Sequence, residues 1–286
     1  MTDIRTLLQR STRELATSGS PSPRLDAEVL LMHFLKTDRV QLYMHSEEEI
    51  PEEECKGFSH WVERRRRGEP VAYITGWKEF WSLRLEVNRD VLIPRPETEC
   101  LIEEVLKRCG PVGPLRSIDI GTGSGAIGVV LAKELPSAHV TVTDISPRAL
   151  ATARRNADRH GVAGQMEFLE GDLFASAVGE FDVIVSNPPY IPDDIYLLLP
   201  AGIRAFEPRE ALIAGPEGVS FHRRIVGEAT RRLKPGGWIF LEIGEGQRGL
   251  VEALFQQNGL YDSIRFRADY GGMDRVAMAR KLKGTG

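Results

Sequence analysis

The sequence predicts an α/β protein: a doubly wound, mostly parallel sheet preceded by a small helical domain. Three observations carry this. From Leu115 onward, short β-rich runs alternate with helical patterns, the signature of βαβ units. A glycine-rich loop, Gly121 to Gly125, follows the first of those runs and opens a helix. The segment up to about Gly76 instead holds several short helical stretches, as a small bundle requires.

Taken in order, Ile4, Leu7, Leu8, Ser11 and Leu15 follow helical spacing, and Ser18–Pro23 breaks it. Asp26–Lys36 is a second helical stretch, with Ala27, Leu30, Leu31, Phe34 and Leu35 on its buried side; Glu52–Arg67 is a third, with Phe58, Trp61 and Val62 apolar. It ends in Arg64-Arg65-Arg66-Arg67, a charge run suited to a solvated helix C-terminus; contact with an acidic partner or ribosomal RNA is the alternative. Phe80–Val87 alternates with period two, Asn88-Arg89-Asp90 is turn-forming, and Val91–Ile93 follows. This predicts a β-hairpin. Pro94 and Pro96 end it, and Glu97 begins a helix that stops near Gly110-Pro111. Predicted strands are then Arg116–Ile120, His139–Thr143, Met166–Leu169, Phe181–Ser186 and Trp238–Ile243. Helices between them are predicted at Ala126–Leu135, Pro147–His160, Val219–Leu233 and Gly246–Gln257. Ile264–Arg267 and Arg275–Arg280 predict a terminal hairpin on a Rossmann-like sheet.

Composition excludes several classes. The chain has 286 residues, enough for one large domain and a small one. Its net charge of −4 argues against coating nucleic acid through bulk charge. No apolar run reaches the roughly 18 residues of a membrane span, and Met1-Thr2-Asp3-Ile4-Arg5 lacks the apolar core of a secretion signal. Cys55, Cys100 and Cys109 cannot all pair and show no metal spacing, and the six histidines show no ligand pattern. A reduced cytoplasmic protein without a metal is expected. Cys100 and Cys109 are expected to be packing residues.

Two motifs carry chemistry. The first is Asp119-Ile120-Gly121-Thr122-Gly123-Ser124-Gly125. Its glycines let the backbone turn sharply and approach a ligand. Asp144 ends the next strand, where an acid can hydrogen-bond a ribose hydroxyl. Gly123–Gly128 also fits the dinucleotide fingerprint, so NAD and a plain tight turn are the competing readings. Two features favour S-adenosyl-L-methionine. Asp119 directly before the glycines suits an ammonium and a sulfonium better than a pyrophosphate. Asp172, in Gly171-Asp172-Leu173 after the third strand, can accept from an adenine amino group.

The second motif is Asn187-Pro188-Pro189-Tyr190, closing the fourth strand. Two prolines remove two N–H groups, so the ladder stops there and Asn187 is held extended. The Asn187 side-chain oxygen and the Pro188 carbonyl can each accept one N–H of a planar NH₂ group, and Tyr190 offers a flat face. That orients a poorly nucleophilic nitrogen and favours the charge that develops on it as a methyl arrives. Glu242, near the end of the fifth strand, is a further candidate to face the pocket.

With these residues in view, the chain resembles the bacterial release factor glutamine N5-methyltransferases. Leu92-Ile93-Pro94-Arg95-Pro96-Glu97-Thr98-Glu99 is similar to that family's linker signature. Glu69–Gly76, Phe206–Leu212 and Arg24–Leu31 also resemble family patterns, so the likeness covers nearly the whole chain. The resemblance implies a class I S-adenosylmethionine-dependent methyltransferase with a seven-stranded sheet and a terminal β-hairpin. It implies a helical substrate-recognition domain over 1–77, a hairpin linker over 78–94 and the methyltransferase domain over 95–286. Gly121, Thr122, Gly123, Ser124 and Gly125 would line the cofactor's methionine and ribose, Asp144 would bind the ribose, and Asp172 and Leu173 would sit at the adenine. The family often has an aromatic where this chain has Leu173. Asn187, Pro188, Pro189 and Tyr190 would hold the glutamine amide of the Gly-Gly-Gln motif in a peptide chain release factor. Methyl transfer would leave S-adenosyl-L-homocysteine. A DNA adenine-N6 or ribosomal RNA guanine-N2 methyltransferase is the alternative, since both act on a planar NH₂. The charge balance and the absence of a nucleic-acid motif argue against direct DNA binding. An oxidoreductase or a catalytically silent module on the same scaffold is a more distant rival.

Overall fold

The computed structural model describes residues 2–110 and 113–283. They fall into two units, residues 1–77 with 200–207, and residues 78–199 with 208–286. Of the helix stop predicted at Gly110-Pro111, Pro111 lies outside the described residues.

In the first unit, Ile4–Thr17, Pro23–Leu35 and Glu52–Arg66 are helices. The periodic apolar residues explain why. Leu7, Leu8, Leu30, Leu31, Phe58 and Val62 lie in one core cluster, and Phe34 meets Trp61 edge-on at 5.3 Å. Asp3 caps the first helix by accepting from Thr6 N at 2.6 Å. Short helices at Arg39–Met44, Val71–Thr75 and Ala201–Phe206 complete the unit. Arg64 and Arg65 are less solvated than predicted, while Arg66 and Arg67 are exposed as expected. Arg64 grips Glu69 with two bonds of 2.8 Å, and Arg65 meets Asp26 at 2.7 Å with a side chain only 15% exposed. Arg66 and Arg67 take the two oxygens of Glu63 at 2.7 and 2.9 Å.

The predicted hairpin exists with a different turn. Trp77–Phe80 pairs with Leu83–Glu86, and Trp81 and Ser82 turn the chain at φ 53° and 56°. Two successive left-handed residues make a turn whose twist matches the strands, but tryptophan and serine do not advertise it. Tertiary contacts hold it: Trp81 N donates to Glu99 Oε1 at 2.8 Å, and the indole N–H to Glu134 Oε1 at 2.9 Å. Asn88–Asp90 is a turn as well, but Val91–Ile93 pairs as no strand.

The main sheet contains β1 (Arg116–Ile120), β2 (His139–Asp144), β3 (Met166–Glu170), β4 (Phe181–Ser186), β5 (Leu233–Glu242), β6 (Tyr261–Ala268) and β7 (Asp274–Lys281). Their spatial order is β6-β7-β5-β4-β1-β2-β3. β5, β4, β1, β2 and β3 run parallel, while β7 is antiparallel to β5 and to β6. Helices Glu99–Cys109, α1 (Ala126–Glu134) and α2 (Pro147–Arg159) cover one face. Helices α3 (Ser220–Ala229) and α4 (Arg248–Asn258) cover the other. Strand alternation sorts the core between them. Val183 and Val185 join the first cluster and Ile184 the second, as period-two side chains must.

Two boundaries differ most from prediction. α3 stops at Ala229 instead of reaching Leu233, and β5 begins at Leu233 instead of Trp238. Phe181 N takes the Arg232 carbonyl at 2.7 Å, so the sheet claims this backbone. The register then jumps from Leu233 opposite Phe181 to Trp238 opposite Val183, with Gly236 at φ 79°. The inserted residues are a bulge, which lets Pro235 lie inside a strand. Among the described residues no helix is long and apolar enough to cross a membrane.

Asn156 ties the hairpin to the parallel sheet. It is fully buried, accepts from Glu86 N at 2.7 Å, and donates to Glu86 O at 3.0 Å and Ser124 O at 2.8 Å. Asn156→Ala strands these backbone groups, so we expect a loss of about 3 kcal/mol, measurable by urea unfolding.

Candidate active site

β1 and β4 are neighbours, with Ile120 opposite Ser186. The Ser186 hydroxyl donates to the Ile120 carbonyl at 2.7 Å. Both strands therefore end at one level, and the glycine loop and the Asn-Pro-Pro-Tyr segment leave side by side. This is where strand order reverses and where ligands bind in open α/β sheets.

The glycines do two different things. Gly121 and Gly123, at φ 69° and 56°, face open space where a Cβ would stand. Gly125, at φ 81°, would bring a Cβ within 2.9 Å of the Ala153 Cβ. The first two keep a surface open, and the third lets α1 pack on α2. Gly121 N and Thr122 N both donate to the Thr143 carbonyl, at 2.9 and 3.0 Å. Asp144 accepts from Gly123 N at 2.8 Å and from Ser146 N at 2.9 Å. Burial raises its pKa and these N–H bonds oppose the rise.

Asp119 lies beneath the loop, fully buried. Its Oδ2 accepts from Thr122 Oγ1 at 2.6 Å and Gly128 N at 3.1 Å, while its Oδ1 has no partner. Burial pushes its pKa to about 7. Ser124 is also buried, its carbonyl held by Asn156. Open space above Gly121 and Gly123, an acid at the rim and an unpaired carboxylate oxygen below fit a ligand with ribose hydroxyls and positive charge.

Asp172 follows β3, and Gly171 N donates to the Asp144 carbonyl at 3.0 Å, bringing the two acids to one edge. The Asp172 carboxylate is about half exposed and ion-paired with Arg224 at 2.7 Å. Leu173 sits at φ 52° with its side chain in the core cluster beside Phe174. A left-handed leucine is strained backbone of the sort functional loops retain.

Asn187 and Pro189 are half-buried and Pro188 is buried. Asn187 Nδ2 donates to Thr98 Oγ1 at 3.1 Å, leaving Oδ1 to accept. The Tyr190 hydroxyl reaches Glu242 Oε1 at 3.4 Å. Burial and the neighbouring Glu242 charge raise the phenol's pKa. Glu242 is fully buried, with its own pKa pushed to about 7 by burial. Gln247 Nε2 donates to the Tyr190 carbonyl at 2.8 Å and the Gly218 carbonyl at 3.1 Å, and its Oε1 accepts from Gly244 N at 2.8 Å. Gly218 and Gly244 leave room for this clasp. A Cβ at Gly218 would stand 2.4 Å from the Tyr190 carbonyl oxygen, and one at Gly244 3.0 Å from the Tyr190 ring. Sequence reasoning did not single out Thr98 or Gln247. Thr98 lies in the Leu92–Glu99 run, which is its only sequence signal; Gln247 sits in an ordinary helical pattern.

Residues 6–76 match the family described as PrmC N-terminal domain, and residues 97–194 the one described as Methyltransferase small domain. The chain is 41% identical over 282 residues to "Release factor glutamine methyltransferase" of Rhodopirellula baltica, covering 96% of this chain and 95% of that protein. It is 43% identical over 266 residues to the protein of the same name from Coxiella burnetii, covering 93% and 94%. A solved methyltransferase from Pyrococcus furiosus shares the fold at 22% identity and a TM-score of 0.54, over 78% of this chain and 99% of that one.

The Asp119 environment has a pH consequence. Its native pKa of about 7 lies above the ordinary 3.8, so between those values the native state holds a proton that the unfolded chain releases. Asp119 then contributes least to stability above pH 7 and most below pH 4. The unfolding free energy of the wild type, relative to Asp119→Asn, should fall as pH rises through that window. Urea titrations at pH 5 and pH 8 check the sign.

Proposed function

The chain belongs to the release factor glutamine methyltransferase family, and from that premise we propose which residues carry the reaction. The enzyme methylates the side-chain amide nitrogen (N5) of the glutamine in the Gly-Gly-Gln motif of peptide chain release factors, modulating translation termination. S-adenosyl-L-methionine, when bound, supplies a methyl on a cationic sulfur, and S-adenosyl-L-homocysteine is the product. The glycine loop Gly121–Gly125 and Asp144 hold it, with Asp119 bracing that loop from below and Asp172 and Leu173 flanking the adenine end.

Asn187 carries the substrate assignment. Its Nδ2 is committed to Thr98 at 3.1 Å, so its Oδ1 faces the glutamine amide as an acceptor. The Pro188 carbonyl accepts the second N–H, and Tyr190 covers the amide plane. Two acceptors orient the nitrogen lone pair toward the methyl and stabilise the positive charge that grows on nitrogen. Glutamine differs from an ester or carboxylate here: it alone supplies two N–H donors to this pair. The helical unit and the hairpin grip the release factor away from its reacting glutamine. We place the reaction in the cytoplasm, on a protein substrate and without direct DNA binding.

Mass spectrometry of a recombinant release factor, incubated with the protein and S-adenosyl-L-methionine, should find one added methyl on the Gly-Gly-Gln glutamine. An unmodified glutamine would refute the reading. Asn187→Ala should lower transfer at least a hundredfold and leave cofactor affinity within about twofold, since two acceptors in a preorganised site dominate the barrier. Asp144→Ala should instead weaken cofactor binding by tenfold or more in calorimetry, from the loss of charge-assisted hydrogen bonds.

A further inference from the structure

Asn187 can present either end of its amide, and only one end suits the substrate. Oδ1 accepts hydrogen bonds and Nδ2 donates them. A glutamine NH₂ offers donors, so it needs Oδ1. A half-turn of the Asn187 amide exchanges the ends with almost no change of shape. The flanking prolines fix the backbone but not this choice.

The choice is made one layer behind. Thr98, only 4% exposed, accepts from Asn187 Nδ2 at 3.1 Å. Its hydroxyl neighbours the Glu242 carboxylate and favours that acid's ionised form. Glu242 is wholly enclosed. Oε1 lies 3.4 Å from the Tyr190 hydroxyl and Oε2 has no hydrogen-bond partner. A hydroxyl has one proton. Directed at an ionised Glu242, it leaves Thr98 oxygen able only to accept, and Asn187 must then turn its NH₂ to Thr98 and its Oδ1 outward.

The geometry points to Glu242 as a positioning residue: acting through Thr98, its carboxylate sets the direction of the hydrogen-bond chain that holds Asn187 Oδ1 toward the substrate amide. This rests on the reaction proposed above. A protonated Glu242 would donate to Thr98, freeing the threonine proton for Asn187 Oδ1 and allowing the reversed amide. The groups facing Glu242 are known. Arg275 on β7 and the hydroxyls of Thr98 and Tyr190 favour its ionised form, and Glu97 opposes it. Arg95 and Arg275 act on the adjoining Tyr190 phenol, and Arg275 is anchored on Asp269 at 3.2 Å and on the Ile243 carbonyl at 3.1 Å. His222 on α3 lies 2.8 Å from the Glu242 backbone carbonyl, and burial lowers its pKa to about 4, so it stays neutral there. With burial dominating, Glu242 titrates at about 7, and the fraction of Asn187 correctly presented changes across the neutral range.

The test measures kcat and KM of the full chain on a recombinant release factor from pH 5.5 to 8.5, with cofactor affinity by calorimetry and the thermal midpoint. Wild-type kcat should rise with pH through an apparent pKa near 7. Thr98→Val, close in shape, should cut kcat at least tenfold at pH 8, remove the rising limb and leave cofactor affinity within about twofold. Thr98→Ser should restore both rate and limb. Glu242→Gln should give a low rate that no longer changes with pH. Wild-type kcat in Thr98→Val overturns the inference, as does a rising limb that survives in Glu242→Gln. Loss of cofactor affinity in step with kcat overturns it too, because that marks a merely structural role. If the wild type leaves the glutamine unmethylated, the proposed reaction falls and the inference with it; if only the variants disagree, the inference falls alone.

Discussion

The pairing of Ile120 with Ser186 is the constraint on which the site depends. Adjacent strands lie about 4.8 Å apart, and parallel strands share a carboxyl end. Locking these two residues opposite each other brings the glycine loop and Asn187-Pro188-Pro189-Tyr190 to one edge. A one-residue slip would send every side chain of β4 to the opposite face. Val183 and Val185 would leave one core cluster and Ile184 the other. Two cores therefore enforce the register that juxtaposes the two motifs.

Around that edge, carboxylates gather hydrogen-bond donors. Asp144 gathers the N–H groups of Gly123 and Ser146. Asp119 gathers Thr122 and Gly128 from below. Glu242 stands behind Tyr190 and Thr98. Burying a carboxylate is costly, and the donors around it offset only part of that cost. Asp119 and Glu242 consequently titrate near neutrality. Acids in such places give up stability in exchange for fixed loops, a pattern that clusters where function needs it.

The Asn-Pro-Pro-Tyr segment is held from several sides. Thr98 engages its first residue, and Gln247 clasps the carbonyl of its last. Gly218 and Gly244 make the clasp possible by having no side chain to oppose it. The segment's conformation is defined by its neighbours as well as by prolines that limit its torsions.

The amino-acid sequence by itself determined the alternation of strands and helices, the glycine loop, the tetrapeptide and the terminal hairpin. These are local: a period of two or 3.6, a missing Cβ or a missing N–H is written within a few residues. The sheet strands β1 and β4 were legible to the residue for that reason. Tertiary structure decided the rest. The turn at Trp81-Ser82 exists because Glu99 and Glu134 hold it, whereas Asn88-Arg89-Asp90 carries the better local signal. β5 starts early because Phe181 recruits the backbone ahead of it. The inward Leu173, the pairing of Asp172 with Arg224 and the burial of Asp119 likewise depend on what packs above them. Thr98 meets Asn187 across 89 positions of chain, and Gln247 meets Tyr190 across 57. No local pattern encodes a hydrogen bond of that reach; only the closed sheet brings its two ends together.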